Sequence, residues 1–384
     1  MNNKNNASDL GKQANLGESL LVITVLIICI STAVLIFNDD PTGGPIQLAL
    51  TFTAFIGMLL GFKNGLPWKT MEQAIAHSVS IATTAIFILF CVGALVGTWI
   101  ISGTVPTMIY YGLHFLSADI FFTACLLCAF VSLSIGSSWT TMATVGIALM
   151  GIANVLGLSI PITVGAIVSG SYFGDKMSPL SDTTNLAPAV AGSELFSHIR
   201  HMAWVSVPSF IIALILYTII GLTMAPTSSS VIELDIFTTA LKGHFNIGLH
   251  LLLPLLVLLY MAYKRIPALP TIFFAALLGG LFALLFQSKV VLALANDPNT
   301  HSVIALVKGV SQAMFAGYQA NTGVESIDKL LSRGGMWSMA QTVWLILSAM
   351  LMAGVFSSIG VFDRVANSLL AITKKTGSLI LVTL

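Results

Sequence analysis

The stretch GDKMSPLSDTTN, residues 174–185, sets two acids, a lysine, four hydroxyl side chains and an asparagine into a chain that otherwise avoids charge. Before it, IPITVGAIVSGSYF (160–173) is apolar and small-sided; after it, LAPAVA (186–191) is apolar again, with Pro188 poorly suited to a long helix. Apolar, polar, apolar is the pattern of a helix that unwinds partway across a bilayer. Pro179 removes a backbone donor and the hydroxyls compete for backbone groups, so the helical ladder is expected to break over Ser178–Asp182. Carbonyls freed there would be open to a cation. The plainer alternative is a solvated loop between two spans, with Gly170-x-x-x-Gly174 as a helix-packing motif.

The rest of the chain says which solvent surrounds that stretch. Of 384 residues, 56% are hydrophobic and 8% charged, against about a quarter charged in a soluble domain. Mean hydropathy is +0.95. Charge is absent from Ser19–Phe37, Ser78–Ala118, His201–Ile232, Gly243–Tyr263, Ile266–Ser288 and Met336–Phe362, and a crossing helix needs about 20 such residues. The short alternating segments of a membrane β-barrel do not occur. The fold class is therefore an all-α polytopic membrane protein, a helical bundle in the lipid bilayer. Spans are expected at 19–37, 44–62, 78–101, 203–223, 246–263, 266–288 and 338–361, with a hairpin or helix pair over 119–156 and a further segment from Ile160. Residues 302–319 are ambiguous because Lys308 lies in their middle.

Other features narrow the function classes. A net charge of +1 without a Lys/Arg cluster gives no surface for nucleic acid. Cys29, Cys91, Cys125 and Cys128 all lie in apolar runs, so Cys125-x-x-Cys128 reads as packing rather than as a metal or redox motif. Residues 1–18 form a polar tail, and Ser19–Phe37 leads into NDDPTGG rather than a small-residue cleavage site, which reads as a retained first span. His77, His198 and His201 flank expected spans and read as interfacial caps sooner than as pH sensors.

The chain also resembles itself. AIFILFCVGALVGTWIISG (85–103) matches TVWLILSAMLMAGVFSSIG (342–360) at an offset of 257, pairing Gly97 with Gly354 and Gly103 with Gly360. Transporters are often built from two such halves, with the substrate site where each contributes a broken helix. The expected domains are a first repeat region over 19–223 and a second over 224–384, whose counterpart of 128–200 is missing, so the second half reads as incomplete at the C-terminus. Lys63, Lys69, Arg200, Lys264 and Arg265 mark cytoplasmic loops; the repeats are inverted if 302–319 does not cross and parallel if it does.

A second polar cluster, GSSWTT (Gly136 to Thr141), lies between apolar arms without any charge. Gly136, Ser137, Ser138, Thr140 and Thr141 would suit a plain turn, or the tip of a re-entrant hairpin facing protein or water. Na⁺ is a hard cation that favours carboxylate, hydroxyl and carbonyl oxygens. Asp182, Thr183 and Asn185, with Ser181 and Thr184, offer all three types, and Lys176 could rest as the counter-ion of Asp182. A carboxylate that holds Na⁺ or H⁺ but not both makes an antiporter.

GTWIISGTVPTMIYYG (97–112), SIGSSWTTMATVG (134–146) and above all SGSYFGDKMSPLSDTTNLAPAVAG (169–192) resemble the NhaC family of Na⁺/H⁺ antiporters, most densely over 78–223. The resemblance implies a secondary transporter of the bacterial inner membrane, with inverted repeats, a re-entrant hairpin and Na⁺ beside broken helices. It places Asp175, Ser178, Ser181, Asp182, Thr183, Thr184 and Asn185 at the first broken helix and the GSSWTT residues at the hairpin tip. The activity it implies is exchange of Na⁺ for H⁺ by alternating access, with both as transported ions, no cofactor, and a homodimer as one compatible assembly. Organic substrates in the same family, malate with lactate or an amino acid, give the alternative. An organic anion would need a cationic or helix-N-terminal group, for which Lys176 and the hairpin-tip amides stand available. A channel would need a continuous selectivity lining, and no filter-like repeat is evident. An intramembrane protease would need a metal triad, an aspartate pair or a serine–histidine pair; Asp175 and Asp182 could share a helix face, but Pro179 intervenes, so no enzyme is expected.

Overall fold

A computed structural model describes residues 12–38, 40–115, 120–135, 138–178, 181, 184, 195–223, 238–264, 266–295, 302–323, 327–328 and 331–372. In chain order the helices are α1 (Leu16–Ile36), α2 (Pro45–Lys63), α3 (Trp68–Ile101), α4 (Thr104–Phe115), α5 (Ile120–Ile135), α6 (Ser138–Thr141), α7 (Ile147–Val155), α8 (Ile160–Met177) and α9 (Leu195–Thr223). Then come α10 (Thr238–His244), α11 (Leu253–Tyr263), α12 (Ala268–Phe286), α13 (Ser288–Ala295), α14 (Ser302–Phe315), α15 (Ala340–Ser358) and α16 (Val361–Ile372). Among the described residues the only β-type pairing is one bridge, Tyr318 with Arg333.

Six of the described helices are long and apolar enough to cross a membrane, seven if Thr238–His244 and Leu249–Met261, bent by 84°, form one span. The protein is thus an all-α, multi-pass membrane protein. Several boundaries differ from the sequence expectation. Helix α3 starts at Trp68, ten residues before the apolar run at Ser78, so Lys69, Glu72 and His77 are helical and not in a loop. Hydropathy marks where lipid begins, whereas a helix continues until its ladder is broken; at 34 residues, α3 is about 51 Å long against a hydrocarbon core of about 30 Å. Helix α9 likewise carries His198, Arg200 and His201 within it. The run Gly243–Tyr263 is not one span but a bent pair. Helix α14, with Lys308, has 14 residues and a length of about 21 Å, short of a crossing.

The chain divides into two compact units, residues 1–87 with 339–384, and 88–338, with α3 contributing to both. In the first unit, glycines bring helices close. A Cβ on Gly57 of α2 would lie 2.9 Å from Val355 of α15, and one on Gly354 would lie 2.5 Å from the Ile75 Cα. The N-terminal strand of chain closes this unit: Lys12 N–H donates to the Asn64 carbonyl at 3.0 Å and Ala14 N–H to the Ile359 carbonyl at 2.9 Å. Asn15 and Glu18 then form a capping box at the start of α1, and Lys63 pairs with Glu18 at 3.1 Å.

The second unit has the larger apolar core, with Trp99, Phe121, Leu149 and Ile272 nearly or fully inaccessible. The Trp99 indole N–H, which would otherwise be stranded there, donates to the Ala275 carbonyl at 3.1 Å. Cys125 and Cys128 are free thiols in this core, as packing residues.

The two segments matched at an offset of 257 both end at a left-handed glycine. Helix α3 ends at Ile101, Gly103 is left-handed at φ +80°, and α4 spans Thr104–Phe115; α15 ends at Ser358, Gly360 has φ +77°, and α16 spans Val361–Ile372. Gly97 and Gly354 each hold the place where a Cβ would strike another segment's backbone.

Candidate functional site

Helix α8 lies against α5 almost backbone to backbone. A Cβ on Gly170 would fall on the Cys125 carbonyl, and one on Gly174 would fall on the Ala129 carbonyl and 2.6 Å from the Leu133 nitrogen. The contacts advance in step along both helices, so α5 and α8 run parallel. Two hydroxyls stitch the pair: Ser132 Oγ donates to the Ser171 carbonyl at 2.6 Å, and Ser178 Oγ to the Leu133 carbonyl at 2.8 Å. Each such bond contributes about 1 kcal/mol net. The Gly170/Gly174 packing motif and the polar break are therefore both present in one helix.

Parallel packing brings the C-terminal ends of α5 and α8 to the same level. Past Ile135 the chain resumes helix at Ser138, and Ser138 Oγ donates to Asp175 Oδ2 at 2.8 Å. Ser138 is buried, Asp175 half-buried, and a hydrogen bond to a carboxylate is of the stronger, charge-assisted kind. Thr141, fully buried, sits three residues further along α6, with Thr140 in the helix before it, and a π-helical stretch Met142–Gly146 follows. Much of the expected hairpin tip is thus helical rather than turn.

Helix α8 ends at Met177, and Ser178 is extended at φ −80°, ψ 126°, where the sequence placed the break. The expectation that the freed carbonyls await a cation needs correction. Thr184 Oγ1 donates to the carbonyls of Asp175 and Lys176, both at 3.2 Å, and the Thr184 N–H reaches Ser181 Oγ at 3.4 Å. A threonine returning from beyond the break caps the helix because its hydroxyl meets the last carbonyls at no cost in charge. Ser178, Ser181 and Thr184 are all buried around Asp175. Asp182, Thr183, Asn185, Gly136 and Ser137 lie outside the described residues.

The electrostatics at this point combine both signs, because the helical run that begins at Ser138 brings its positive N-terminal end to Asp175. Two parallel helices end here, each presenting about half a negative charge, and Asp175 adds a carboxylate. Lys176 is exposed and forms no ion pair among the described residues. The arrangement suits a small cation with oxygen ligands.

Two polar features were not found from the sequence. Gln287, only 4% exposed, bonds through its side-chain amide to the backbone of Asn246. In the irregular segment after α14, Asp328 Oδ1 accepts from the Thr322 N–H at 2.6 Å and its hydroxyl at 2.7 Å. Burial pushes the Asp328 carboxyl up, but the two Thr322 donors and the Gly323 N–H outweigh it and hold the group below the ordinary carboxylate range. The signals were a lone glutamine at the end of an apolar run and an NTG turn shortly before Glu325 and Asp328.

Comparison with known proteins gives these findings. The description "Na+/H+ antiporter family" matches over residues 170–384, which takes in the α8 motif and everything after it. A malate-2H⁺/Na⁺-lactate antiporter of Bacillus subtilis is 36% identical over 88% of this chain and 69% of its own. The Na⁺/H⁺ antiporter NhaC of Alkalihalophilus pseudofirmus is 36% identical over 97% of this chain and 76% of its own. An arginine/ornithine antiporter, ArcD, of Halobacterium salinarum is 32% identical over 98% and 74%. No solved structure matches the chain significantly.

Proposed function

The chain belongs to the Na⁺/H⁺ antiporter family, and on that premise we propose that it exchanges Na⁺ for H⁺ across the bacterial inner membrane, as a secondary transporter and not an enzyme. The observation that carries this reading is Asp175, a half-buried carboxylate held by Ser138 where the C-terminal ends of α5 and α8 coincide. One carboxylate oxygen accepts from the serine hydroxyl, and in this proposal the other meets the cation. Na⁺ and a proton compete for one negative charge, so they are carried in turn and in opposite directions. Asp182, Thr183 and Asn185 follow directly after the break and complete the oxygen set in this proposal, with Ser181 and Thr184 holding the chain beside it.

A second reading has specific support: the relative that exchanges malate and lactate is as similar to this chain as the NhaC relative is. In this version Lys176 and the amides at the start of the run from Ser138 hold the anion, and the α8 carboxylate keeps the cation. The test is a pH-gradient dequenching assay in everted vesicles, adding NaCl, then KCl, then NaCl with malate, lactate or arginine. Dequenching by NaCl alone is expected. Dequenching only when an organic solute is present would replace the first reading by the second.

A further inference from the structure

Three interruptions of helix meet in the second unit around the buried Gly103 and Gln287. Gly103, at φ +80°, joins α3 to α4; residues 245–248 form the 84° bend between α10 and the 3-10 turn Leu249–Leu252 that leads into α11; Gln287 separates α12 from α13. The side chain of Gln287 closes all three. Its Oε1 accepts the Asn246 N–H at 3.0 Å and its Nε2 donates to the Asn246 carbonyl at 2.6 Å. These two backbone groups lose their helical partners at the bend, and one amide satisfies both. A Cβ on Gly103 would fall on Gln287 Nε2 and lie 3.0 Å from Leu251 and 3.1 Å from the Asn246 carbonyl, so the joint closes only over a glycine.

The backbone of Gln287 stays within the ladder on both sides. Its N–H donates to the Ala283 carbonyl at 2.9 Å, and its carbonyl accepts the Val291 N–H at 3.1 Å. The side chain is thus a lever on a fixed base, reaching across to a different helix pair. On the first turn of α4, Thr107 Oγ1 is fully buried and has no hydrogen-bond partner among the described residues, while its backbone N–H donates to the Gly103 carbonyl at 2.8 Å. A buried hydroxyl left unbonded in this conformation is available to a backbone group released in another.

We propose that Gln287 is the latch of a three-way helical joint, and that its two bonds to Asn246 open and close as α4, α11 and α13 shift during ion exchange. Gln287 is a positioning residue in this scheme and touches no ion. The proposal rests on the chain being an exchanger.

Gln287→Glu tests it. The protonated acid keeps both bonds to Asn246; the ionised acid accepts from the N–H but cannot donate to the carbonyl. With saturating Na⁺, the maximal rate of the variant divided by that of the parent is expected to drop at least about fivefold between about pH 6 and about pH 9, with the half-saturating Na⁺ unchanged. A Gln287→Met variant deletes both bonds at nearly unchanged volume; if it keeps the parent's maximal rate, the latch is overturned. Because the variant could fail to fold, the parent supplies a second measurement: hydrogen exchange in peptides spanning 246–252, in NaCl against choline chloride. A change of at least about threefold is expected from a joint that works in the cycle. Unchanged protection, in a parent that does show NaCl-driven proton movement, overturns it. A parent without such movement fells the exchange reading instead.

Discussion

At the end of α8 and at the joint around Gly103, helices stop inside the same unit for different reasons. The α8 end carries a carboxylate, hydroxyls and a break that Thr184 only partly caps. At the joint, one neutral glutamine amide bonds both backbone groups of Asn246. Both places hold non-helical backbone, which lipid tolerates only against protein or water. The difference teaches how to read a broken helix. A neutral amide bonds backbone groups without leaving a charge, whereas a carboxylate leaves one that something else must neutralise.

If that division is right, substitutions at the two places should fail differently. Asp175→Asn removes the charge but leaves an oxygen for Ser138, so NaCl-driven dequenching is expected to fall by about a hundredfold or more while the protein still elutes as a folded species in detergent. Normal exchange by this variant would end the assignment of the site. Ser138→Ala deletes a bond to a charged group, in the range of about 1.5–3 kcal/mol, and should raise the half-saturating Na⁺ about tenfold with little change in maximal rate. An unchanged half-saturation would reduce α6 to a packing turn.

The joint should respond in rate and stability, not in affinity. Gly103→Ala imposes a left-handed conformation costing about 1–2 kcal/mol, with a Cβ directed at Gln287; a lowered Tm and a maximal rate reduced a few-fold are expected, with the Na⁺ half-saturation unaltered. A rise in half-saturation would blur the two places into one. The smallest effect belongs to Asp328, which lies in neither. Its folded-state value is depressed, so it contributes stability at pH above the ordinary carboxylate range and loses that contribution as pH falls through the lowered value. Asp328→Asn should lower stability near neutral pH by less than about 1 kcal/mol, given solvent screening, and flatten the acid limb of thermal melts.

Much of the α8 site was legible because charge and hydroxyls are conspicuous in an apolar chain. Asp175 and Ser138 each stood in a polar cluster, and Pro179 marked the break. What the sequence could not convey was the register of α5 on α8. That register follows from Gly170 and Gly174 meeting the backbone of residues 125–133, a contact between segments 45 positions apart. Thr184 read as a ligand when it is also a cap, because a hydroxyl can serve either purpose and only geometry chooses. The joint was hidden more completely. Gly243–Tyr263 is uncharged throughout, so hydropathy draws it as one span, and the bend at 245–248 shows only as Asn246, Gly248 and His250 in an otherwise aliphatic run.

The strap at residues 12–15 has a consequence for how the protein is made. It closes over Asn64 and Ile359, and α2 rests on Val355, so the first unit is assembled from residues 1–87 and 339–384, with 88–338 made between them. At about 5–20 residues per second, translation needs roughly 15–60 s to pass from α2 to α15. During that interval the second unit emerges from the ribosome whole, while α1 and α2 sit in the bilayer without their partner. The glycine face of α2 therefore meets Val355 and Ile359 only after residues 88–338 have been made.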